Sequence, residues 1–162
     1  MNADDFRYFY DYHFAENRSI WNNYVMPLSQ EKFIQDVNYS VGSVRNQLVH
    51  LMRVDDNWFK EIQGIDIPDW PDPTSFDDRD AIHTRWDTIE QMMRAYLANL
   101  RDDMLHQKPV PDGEDKDLML WQILLHVVNH GTDHRAQLLR LLNDLGVTTG
   151  PQDYIFYVYD HP

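Results

Sequence analysis

The stretch DLMLWQILLHVVNHGTDHRAQLLRLLNDL, residues 117–145, decides the fold of this chain. It predicts one long helix, and Gly146 directly after it is the residue type with which helices commonly end. His126, His130 and His134 recur along it at every fourth position. Residues four apart are rotated by about 40° and separated by about 6 Å along the axis, so neighbours in this row share a face. The stretch therefore predicts a helix that carries a row of imidazoles.

Three further stretches place inward-facing side chains at alternating spacings of three and four, which is the period of a helix. They predict helices across residues 6–24, 44–62 and 82–104. Four long amphipathic helices in one small chain favour an all-α four-helix bundle. The connections after the first and second helices have about fifteen residues, which is long for a simple up-and-down bundle, so we expect crossover connections.

Local signals set the expected ends of these helices. Pro27 ends the first helix, because proline lacks the amide hydrogen that a helix needs. Ser43 is the expected N-cap of the second helix. Residues 64–74, which are rich in proline, predict an irregular loop after it. Ser75 and Asp78 then fit the S-x-x-D capping pattern, which predicts that Ser75 opens the third helix.

The length of the chain and its last residues complete the expected organisation. The 162 residues suffice for one domain with a sizeable core, so we expect a single domain across residues 1–162. The short C-terminal tail YIFYVY, residues 154–159, is strongly apolar and rich in side chains that favour β-strands. Left free, such a segment would promote aggregation. We expect it to pack on the bundle or against a second subunit.

Charge and composition exclude several classes of protein. Asp and Glu number 27 against 14 Lys and Arg, a net charge of −13. Nucleic acids and anionic membranes both attract cationic protein surfaces, so we expect neither as a partner. The chain has no cysteine, which excludes disulfides, thiolate metal ligands and a cysteine nucleophile. No apolar run reaches the ~18 residues of a membrane span, and residues 1–10 lack the pattern of a signal peptide, so we expect a cytoplasmic protein.

The histidines predict a metal site. His50 lies near the middle of the second predicted helix, where its imidazole can face the row on the fourth. Three imidazoles with an open fourth position are the ligand set of a catalytic ion. The ends of the row, His126 and His134, are about 12 Å apart, too far to bind one ion together. His130 must therefore pair with one neighbour or the other, and spacing alone leaves the choice open. The competing interpretation is that these histidines are half-exposed and hydrogen-bond to the backbone or to solvent.

Polar residues also fall on the apolar stripes of the predicted helices. His13 and Asn17 lie on the inward stripe of the first helix, where polar groups need hydrogen-bond partners. They are candidates to support a metal ligand or to line a pocket; otherwise they bond to the backbone. Asp55, on the inward stripe of the second helix, can orient a ligand histidine by accepting its second N–H. The alternative for Asp55 is an ion pair with Arg53, Arg135 or another cation.

Several of these stretches resemble the DinB/YfiT-like family. Residues 42–50 (GSVRNQLVH) and 54–58 (VDDNW) are similar to its second-helix signature. Residues 125–137 (LHVVNHGTDHRAQ) are similar to its fourth-helix signature. Tyr12, Asn17 and Arg18 are similar to its first-helix pattern. The resemblance spans nearly the whole chain. It implies a four-helix bundle, usually a homodimer, with a divalent metal ion on three histidines.

The resemblance also assigns roles to particular residues. Matched by position, the three metal ligands are His50, His130 and His134, and the expected metal is Zn²⁺ or Ni²⁺. Two positions depart from the family pattern, which often has histidine in place of Asp133 and glycine in place of Ala136. Neither is a ligand position, so the ligand set is kept. Asp133 is a candidate to change the charge around the ligands.

Three neutral imidazoles leave a bound divalent ion its full positive charge, which sets the expected chemistry. Such an ion can lower the pKa of a bound water toward ~7, or hold a thiol as a nucleophilic thiolate. The family resemblance implies the second use, in a thiol-dependent S-transferase that activates a low-molecular-weight thiol and acts on a small-molecule substrate. Because the chain has no cysteine, the thiol must come from a cofactor or a substrate.

Two alternatives stay open from the sequence. The first is a metal-dependent hydrolase, in which Asp133 or Asp55 serves as general base beside a bound water. The second is a non-enzymatic, dimeric metal-binding or stress-related module, in which every coordination position of the metal is filled. Activity without an added thiol would favour the hydrolase, and a metal without an exchangeable water would favour the module.

Overall fold

Helices make up the regular structure of this chain in the computed structural model, which describes residues 1–76 and 78–162. The α-helices are α1 (Ala3–Ile20), α2 (Gln30–Ile34), α3 (Val44–Glu61), α4 (Arg79–Ala98), α5 (Leu120–Asp144) and α6 (Tyr154–Asp160). The predicted all-α class is confirmed, since neither described range contains a strand. None of the helices in these ranges is both long enough and apolar enough to span a membrane.

The four long helices α1, α3, α4 and α5 pack against one another. α3 contacts α4 and α5, and α1 contacts the same two helices, an arrangement consistent with the predicted four-helix bundle. α3 and α5 run antiparallel, because Gln47 near the start of α3 hydrogen-bonds His134 late in α5, whereas Trp58 near the end of α3 contacts His126. The short helix α2, which was not predicted from the sequence, lies in the first long connection and packs on α3.

Aromatic side chains of α1 fill much of the space between the long helices. Phe6, Tyr10 and Phe14 recur at every fourth residue and are buried. The hydroxyl of Tyr10 donates to the backbone oxygen of Leu124 on α5 (2.9 Å), and its ring meets Phe59 of α3 edge-on at a centroid distance of 5.5 Å. Fully burying a side chain of this size stabilises a fold by about 1.5–3 kcal/mol. Tyr10 therefore helps to hold three helices together.

Two of the predicted helix ends are confirmed. Ser43 is the N-cap of α3, where its Oγ accepts a hydrogen bond from the backbone N–H of Asn46 (3.1 Å). Gly146 follows α5 with a φ of +82°, the left-handed conformation that glycine adopts without strain. Both features fix where the helices that carry the histidines begin and end.

Other predicted boundaries were wrong. α4 begins at Arg79 with Asp78 as its N-cap, so Ser75 does not open this helix. Ser75 instead belongs to a 3₁₀ turn, which forms because the side chain of Asp72 accepts the backbone N–H of Thr74 (2.8 Å). α4 also ends at residue 98 and not 104, and α5 begins at residue 120 and not 117.

The C-terminal tail is a helix and not a strand. Tyr154 and Tyr157 of α6 both meet the ring of Tyr12 on α1, with centroid distances of 5.0 and 5.6 Å. Side chains three residues apart share a face in a helix but point to opposite faces of a strand, so this contact favours the helix. The tail packs on the bundle, which is one of its two predicted arrangements. Four of its large hydrophobic side chains stay exposed: Tyr154, Ile155, Phe156 and Tyr159.

Candidate metal centre

Three imidazoles meet between α3 and α5. His50 lies in the middle of α3, and His130 and His134 lie one turn apart on the facing side of α5. The Nε2 atom of His50 is 3.1 Å from Nε2 of His130 and 3.2 Å from Nε2 of His134. One nitrogen from each ring lies within 4.8 Å of the other two, and all three side chains are half-buried. The structure thus brings together the three histidines predicted to share a site.

The neighbouring histidine of the row stays outside this cluster. His126 is exposed, and its ring meets Trp58 at a centroid distance of 5.3 Å. Its centroid is 5.8 Å from that of His130, compared with 4.3 Å between His130 and His134. The pair that faces His50 is therefore His130 with His134. The antiparallel packing of α3 and α5 makes this choice, because it places His50 beside the later turn of the row and Trp58 beside the earlier one.

The spacing of the three nitrogens suits a metal ion better than a hydrogen-bond network. A neutral imidazole nitrogen offers either one proton or one lone pair. A hydrogen bond between Nε2 of His50 and one partner therefore leaves the other partner unsatisfied. At metal–nitrogen distances of about 2.0–2.1 Å, two ligands of a tetrahedral ion are about 3.3–3.4 Å apart, close to the separations of 3.1 and 3.2 Å found here. A divalent cation could accept all three lone pairs at once.

Electrostatics keep the three imidazoles in the form that binds metal. Burial, followed by the nearby His134 and His50, lowers the pKa of His130 from 6.5 to about 4. Burial is also the main reason that the pKa of His50 is lowered, with His134 and Arg53 adding to it. The pKa of His134 is lowered by burial, against an opposing effect of Asp133. At neutral pH each ring therefore keeps a lone pair for which no proton competes.

A series of hydrogen-bonded side chains holds the ring edge of His134 that points away from the cluster. Its Nδ1–H donates to Oε1 of Gln47 (3.1 Å), a residue of α3 with no exposed surface. That bond places the ring proton on Nδ1 and leaves the lone pair on Nε2, which faces the cluster. Gln47 in turn donates to Gln137 (3.5 Å), and Gln137 donates to the exposed carboxylate of Asp133 (2.9 Å). Asp133, a predicted supporting residue, therefore lies two side chains away from His134 along this series.

The far side of His130 is built differently. Its Nδ1 atom is buried and has no hydrogen-bond partner among residues 1–76 and 78–162. The same is true of one oxygen of Asp55 on α3, Oδ1, while the other oxygen, Oδ2, lies 3.3 Å from Nε2 of His13. Unsatisfied buried polar atoms are rare in folded proteins, so both atoms mark a place that needs a further partner or group.

A buried polar network lies behind Asp55 and links α1 to α5. His13 of α1 has no exposed surface, and Arg135 of α5 is only 1% exposed. Arg135 donates from Nη1 to Nδ1 of His13 (3.1 Å) and to Oδ1 of Asn17 (3.0 Å). His13 and Asn17 thus bond to side chains of this buried network. Asp55 bonds to His13, and the ion pairs found among the described residues do not include one between Asp55 and Arg53 or Arg135.

Two residues that support the cluster were not predicted. Gln47 lies three residues before His50 and shares its face of α3, and this spacing was the available signal. Gly131 lies between the two histidines of α5, where a Cβ atom would be 2.4 Å from Cε1 of His13. A glycine inside a helix often marks a close approach of another group. That signal was visible in the sequence, but the group that approaches was not.

An open depression of about 410 Å³ borders the cluster through the ring of His130. Its lining comes from one exposed side of α5 and comprises His126, Asn129, His130, Thr132 and Asp133. A small molecule bound in this depression would lie beside His130, one of the three histidines of the cluster.

The fold and the cluster together define the class of protein. It is an all-helical protein in which two packed helices bring three imidazoles to a site that could hold a metal ion. The model of the DinB family matches residues 2–161, so the chain belongs to the DinB family, as the sequence predicted. The chain is also similar to Protein DinB of Bacillus subtilis (strain 168), with 25% identity over 161 residues that cover 93% of this chain and 91% of that protein.

Proposed function

We propose that this protein is a metal-dependent enzyme with one divalent ion bound by His50, His130 and His134. The observation that carries the proposal is the convergence of their Nε2 atoms, 3.1 and 3.2 Å apart in the two pairs that include His50. Neutral imidazoles suit Zn²⁺ and Ni²⁺, the two metals that we propose. The unpartnered Nδ1 of His130 fits the same group, because a metal on Nε2 requires the ring proton on Nδ1.

The proposed reaction is the attack of a low-molecular-weight thiol on an electrophilic small molecule. A divalent ion on three neutral imidazoles keeps its positive charge and stabilises a thiolate at neutral pH. The chain has no cysteine, so the thiol must be supplied as a cofactor or cosubstrate. The three imidazoles are half-buried, which leaves the cluster reachable for small molecules. The depression beside His130 is the proposed place for the second molecule.

The contacts of two carboxylates favour thiolate chemistry over a hydrolase. Hydrolysis would need a general base beside a metal-bound water. Asp55 directs Oδ2 at His13 (3.3 Å), and Asp133 accepts a hydrogen bond from Gln137 (2.9 Å). Asp133 is thus engaged with another side chain, and Asp55 is buried (1% exposed) with one of its two oxygens directed at His13.

Elemental analysis of untagged protein, purified without chelator, tests the metal centre. We expect about one divalent ion per chain, because a three-imidazole site binds a single ion. His130→Ala should lose the metal, since two imidazoles hold an ion weakly, while the matched control His126→Ala should keep it. Loss of metal in the control as well would mean that the wrong pair was assigned. A wild-type protein that stays free of metal after incubation with Zn²⁺ or Ni²⁺ would overturn the proposal.

Cobalt substitution then separates the candidate reactions. Co²⁺ accepts the same imidazole ligands, and a thiolate bound to it gives a sulfur-to-metal charge-transfer band. We expect this band when 2-mercaptoethanol is added to the cobalt protein. Turnover of ester or amide substrates without any thiol would favour the hydrolase. A cobalt spectrum that no added ligand changes would favour the non-enzymatic module.

We also propose that the protein is a homodimer. Support comes from the family resemblance and from the exposure of apolar side chains on α6, among them Phe156, which is 48% exposed. Light scattering measures the mass in solution, and the monomer has a mass of 19.4 kDa. We expect a dimeric mass that falls to the monomer value in Phe156→Glu. A monomeric wild-type protein would contradict the proposal.

A further inference from the structure

Asp55 and His130 present two buried polar atoms that complement each other. Oδ1 of the Asp55 carboxylate can only accept a hydrogen bond, and Nδ1 of His130 must donate one when Nε2 holds a metal. Neither atom has a partner within the described part of the chain. The two groups share a neighbour, because Oδ2 of Asp55 lies 3.3 Å from Nε2 of His13, and the ring of His13 lies against Gly131, the residue that follows His130. One hydrogen bond between them would satisfy both atoms.

The other oxygen of Asp55, Oδ2, is held by two successive hydrogen bonds in which Arg135 donates to His13 and His13 donates to Asp55. A guanidinium can only donate, so Nδ1 of His13, 3.1 Å from Nη1 of Arg135, must accept. The proton of the His13 ring therefore lies on Nε2, which donates to Oδ2 of Asp55 (3.3 Å). Asn17 Nδ2, 3.2 Å from the same Nε2, is then a neighbour and not a donor, because Nε2 carries the ring proton and cannot accept. These two hydrogen bonds use Oδ2 and leave Oδ1 for a different donor.

The absence of a side chain at Gly131, next to His130, leaves room for the ring of His13 against α5. A Cβ atom on Gly131 would lie 2.4 Å from Cε1 and 2.7 Å from Nδ1 of His13, and 3.0 Å from Nη1 of Arg135. A residue without a side chain is needed there if the His13 ring is to lie against α5. The network of α1 therefore reaches the residue that directly follows a proposed ligand.

We infer that Asp55 is a positioning residue of the metal centre: its Oδ1 accepts the Nδ1–H of His130, and Arg135, acting through His13, holds the carboxylate in place. The inference rests on the proposed metal centre and names what holds one of its ligands. The buried carboxylate and the buried guanidinium lie at the two ends of the His13 ring. Each therefore has a hydrogen-bond partner although neither touches the other.

This arrangement gives the two histidines of α5 unlike supports. His134 donates to the neutral amide of Gln47, whereas His130 donates to an anion. A carboxylate acceptor makes an imidazole more basic and a stronger ligand than an amide acceptor does. His130 is then the ligand that depends most on its support, and removing the charge of Asp55 should weaken the metal centre.

The test compares Asp55→Asn with a matched control on the next residue. Asparagine keeps the shape of Asp55 and removes its charge, so we expect the affinity for Zn²⁺ to fall by about 10–100-fold. Asp56→Asn removes a neighbouring buried carboxylate that pairs with Lys60 (2.7 Å), and it should leave the affinity close to that of the wild type. Competition with a chromophoric chelator measures the affinity, and circular dichroism shows whether both variants fold. An unchanged affinity in Asp55→Asn would overturn the inference.

A spectroscopic measurement separates positioning from a general structural role. In Zn²⁺-loaded protein with ¹⁵N-labelled histidine, the Nδ1–H proton of His130 should be shifted downfield by the carboxylate and protected from exchange. The shift should disappear in Asp55→Asn, while the Nδ1–H proton of His134 stays as it was. A rapidly exchanging His130 proton in the wild type would overturn the inference by itself, so the test does not depend on whether the variant folds.

Replacements of His13 test the hydrogen bonds that join Asp55 to Arg135. His13→Gln can offer an acceptor to Arg135 and a donor to Asp55, so it should keep the metal affinity and the shifted His130 proton. His13→Leu can offer neither and should lose both. Equal behaviour of the two variants would remove His13 and Arg135 from the proposal. Failure of the metal centre looks different: the wild type would then bind no metal at all.

Discussion

His130 is kept neutral by its surroundings, and this affects the stability of the metal-free protein. Its pKa is lowered from 6.5 to about 4, mainly by burial, so between these values the unfolded chain binds a proton that the folded chain does not. The free energy of unfolding should therefore decrease as the pH falls from about 6.5 to about 4. His50 and His134 have pKa values lowered in the same direction and add to the decrease.

Urea denaturation of the metal-free protein at several pH values across this window measures the decrease. His130→Asn removes one of the rings that titrate, so the variant should lose less stability than the wild type over the same interval. Identical losses in the two proteins would mean that His130 binds its proton equally well in the folded and unfolded chains, contrary to the burial of its ring.

Replacing a glycine inside a helix with alanine usually stabilises a protein, whereas replacing Gly131 should destabilise this one. Alanine is the better helix former, and the change normally stabilises by about 1 kcal/mol. Here the new Cβ would lie 2.4 Å from Cε1 of His13, a buried ring that is hydrogen-bonded on both nitrogens. We expect Gly131→Ala to destabilise the fold by about 1–3 kcal/mol, measured by denaturant unfolding. A variant more stable than the wild type would contradict the close approach of α1 and α5.

At the scale of helices, the sequence predicts features that depend on contacts between near neighbours in the chain. It does not predict features that depend on contacts between distant residues. Ser43 caps α3 through an N–H three residues further on, a local contact that the residue type alone indicates. The tail at residues 154–159 has a composition typical of strands, yet its rings pack on α1 at the other end of the chain. Tertiary contacts thus outweigh local propensity where the segment is short.

The same distinction divides the candidate site. His130 and His134 lie one turn apart, so their shared face could be predicted from spacing, and His50 was a candidate from its place on the second predicted helix. The choice of His134 over His126 came only from the resemblance to a family. Gln47 meets a histidine 87 residues away, and Arg135 meets His13 across 122 residues. No local pattern encodes such pairs, because only the packed helices bring them together.

The segment that leads into α6 is held on the bundle by Gln152. Its side-chain oxygen accepts from Nε of Arg135 (3.1 Å), and its backbone oxygen accepts from the hydroxyl of Tyr12 (2.9 Å). Gln152→Ala would leave one N–H of a buried guanidinium without its partner, so we expect a loss of about 1–3 kcal/mol in denaturant unfolding. Asp153→Ala, at an exposed neighbour, should change the stability by less than about 0.5 kcal/mol. Equal losses would contradict this role of Gln152.

Across the whole molecule, the candidate centre connects helices that are far apart in sequence. α3 supplies His50 and Asp55, α5 supplies His130 and His134, and the network behind them reaches α1 through His13. The net charge of −13 adds a long-range preference for cations over anions. A bound divalent ion would therefore link two long helices while it reduces the repulsion among the acidic groups.

This link predicts that metal stabilises the entire fold. An ion that binds only the folded chain stabilises it by about 2.7 kcal/mol at a free concentration 100 times its Kd, which for a domain of this size raises the melting temperature by roughly 5–10 °C. The eight histidines of the unfolded chain also bind metal and reduce the gain, so the comparison must be made between variants. Zn²⁺ should raise the melting temperature of the wild type and of His126→Ala, and a chelator should reverse the rise. A rise of equal size in His130→Ala would show that the ion acts elsewhere, because that variant keeps every other histidine but lacks the cluster.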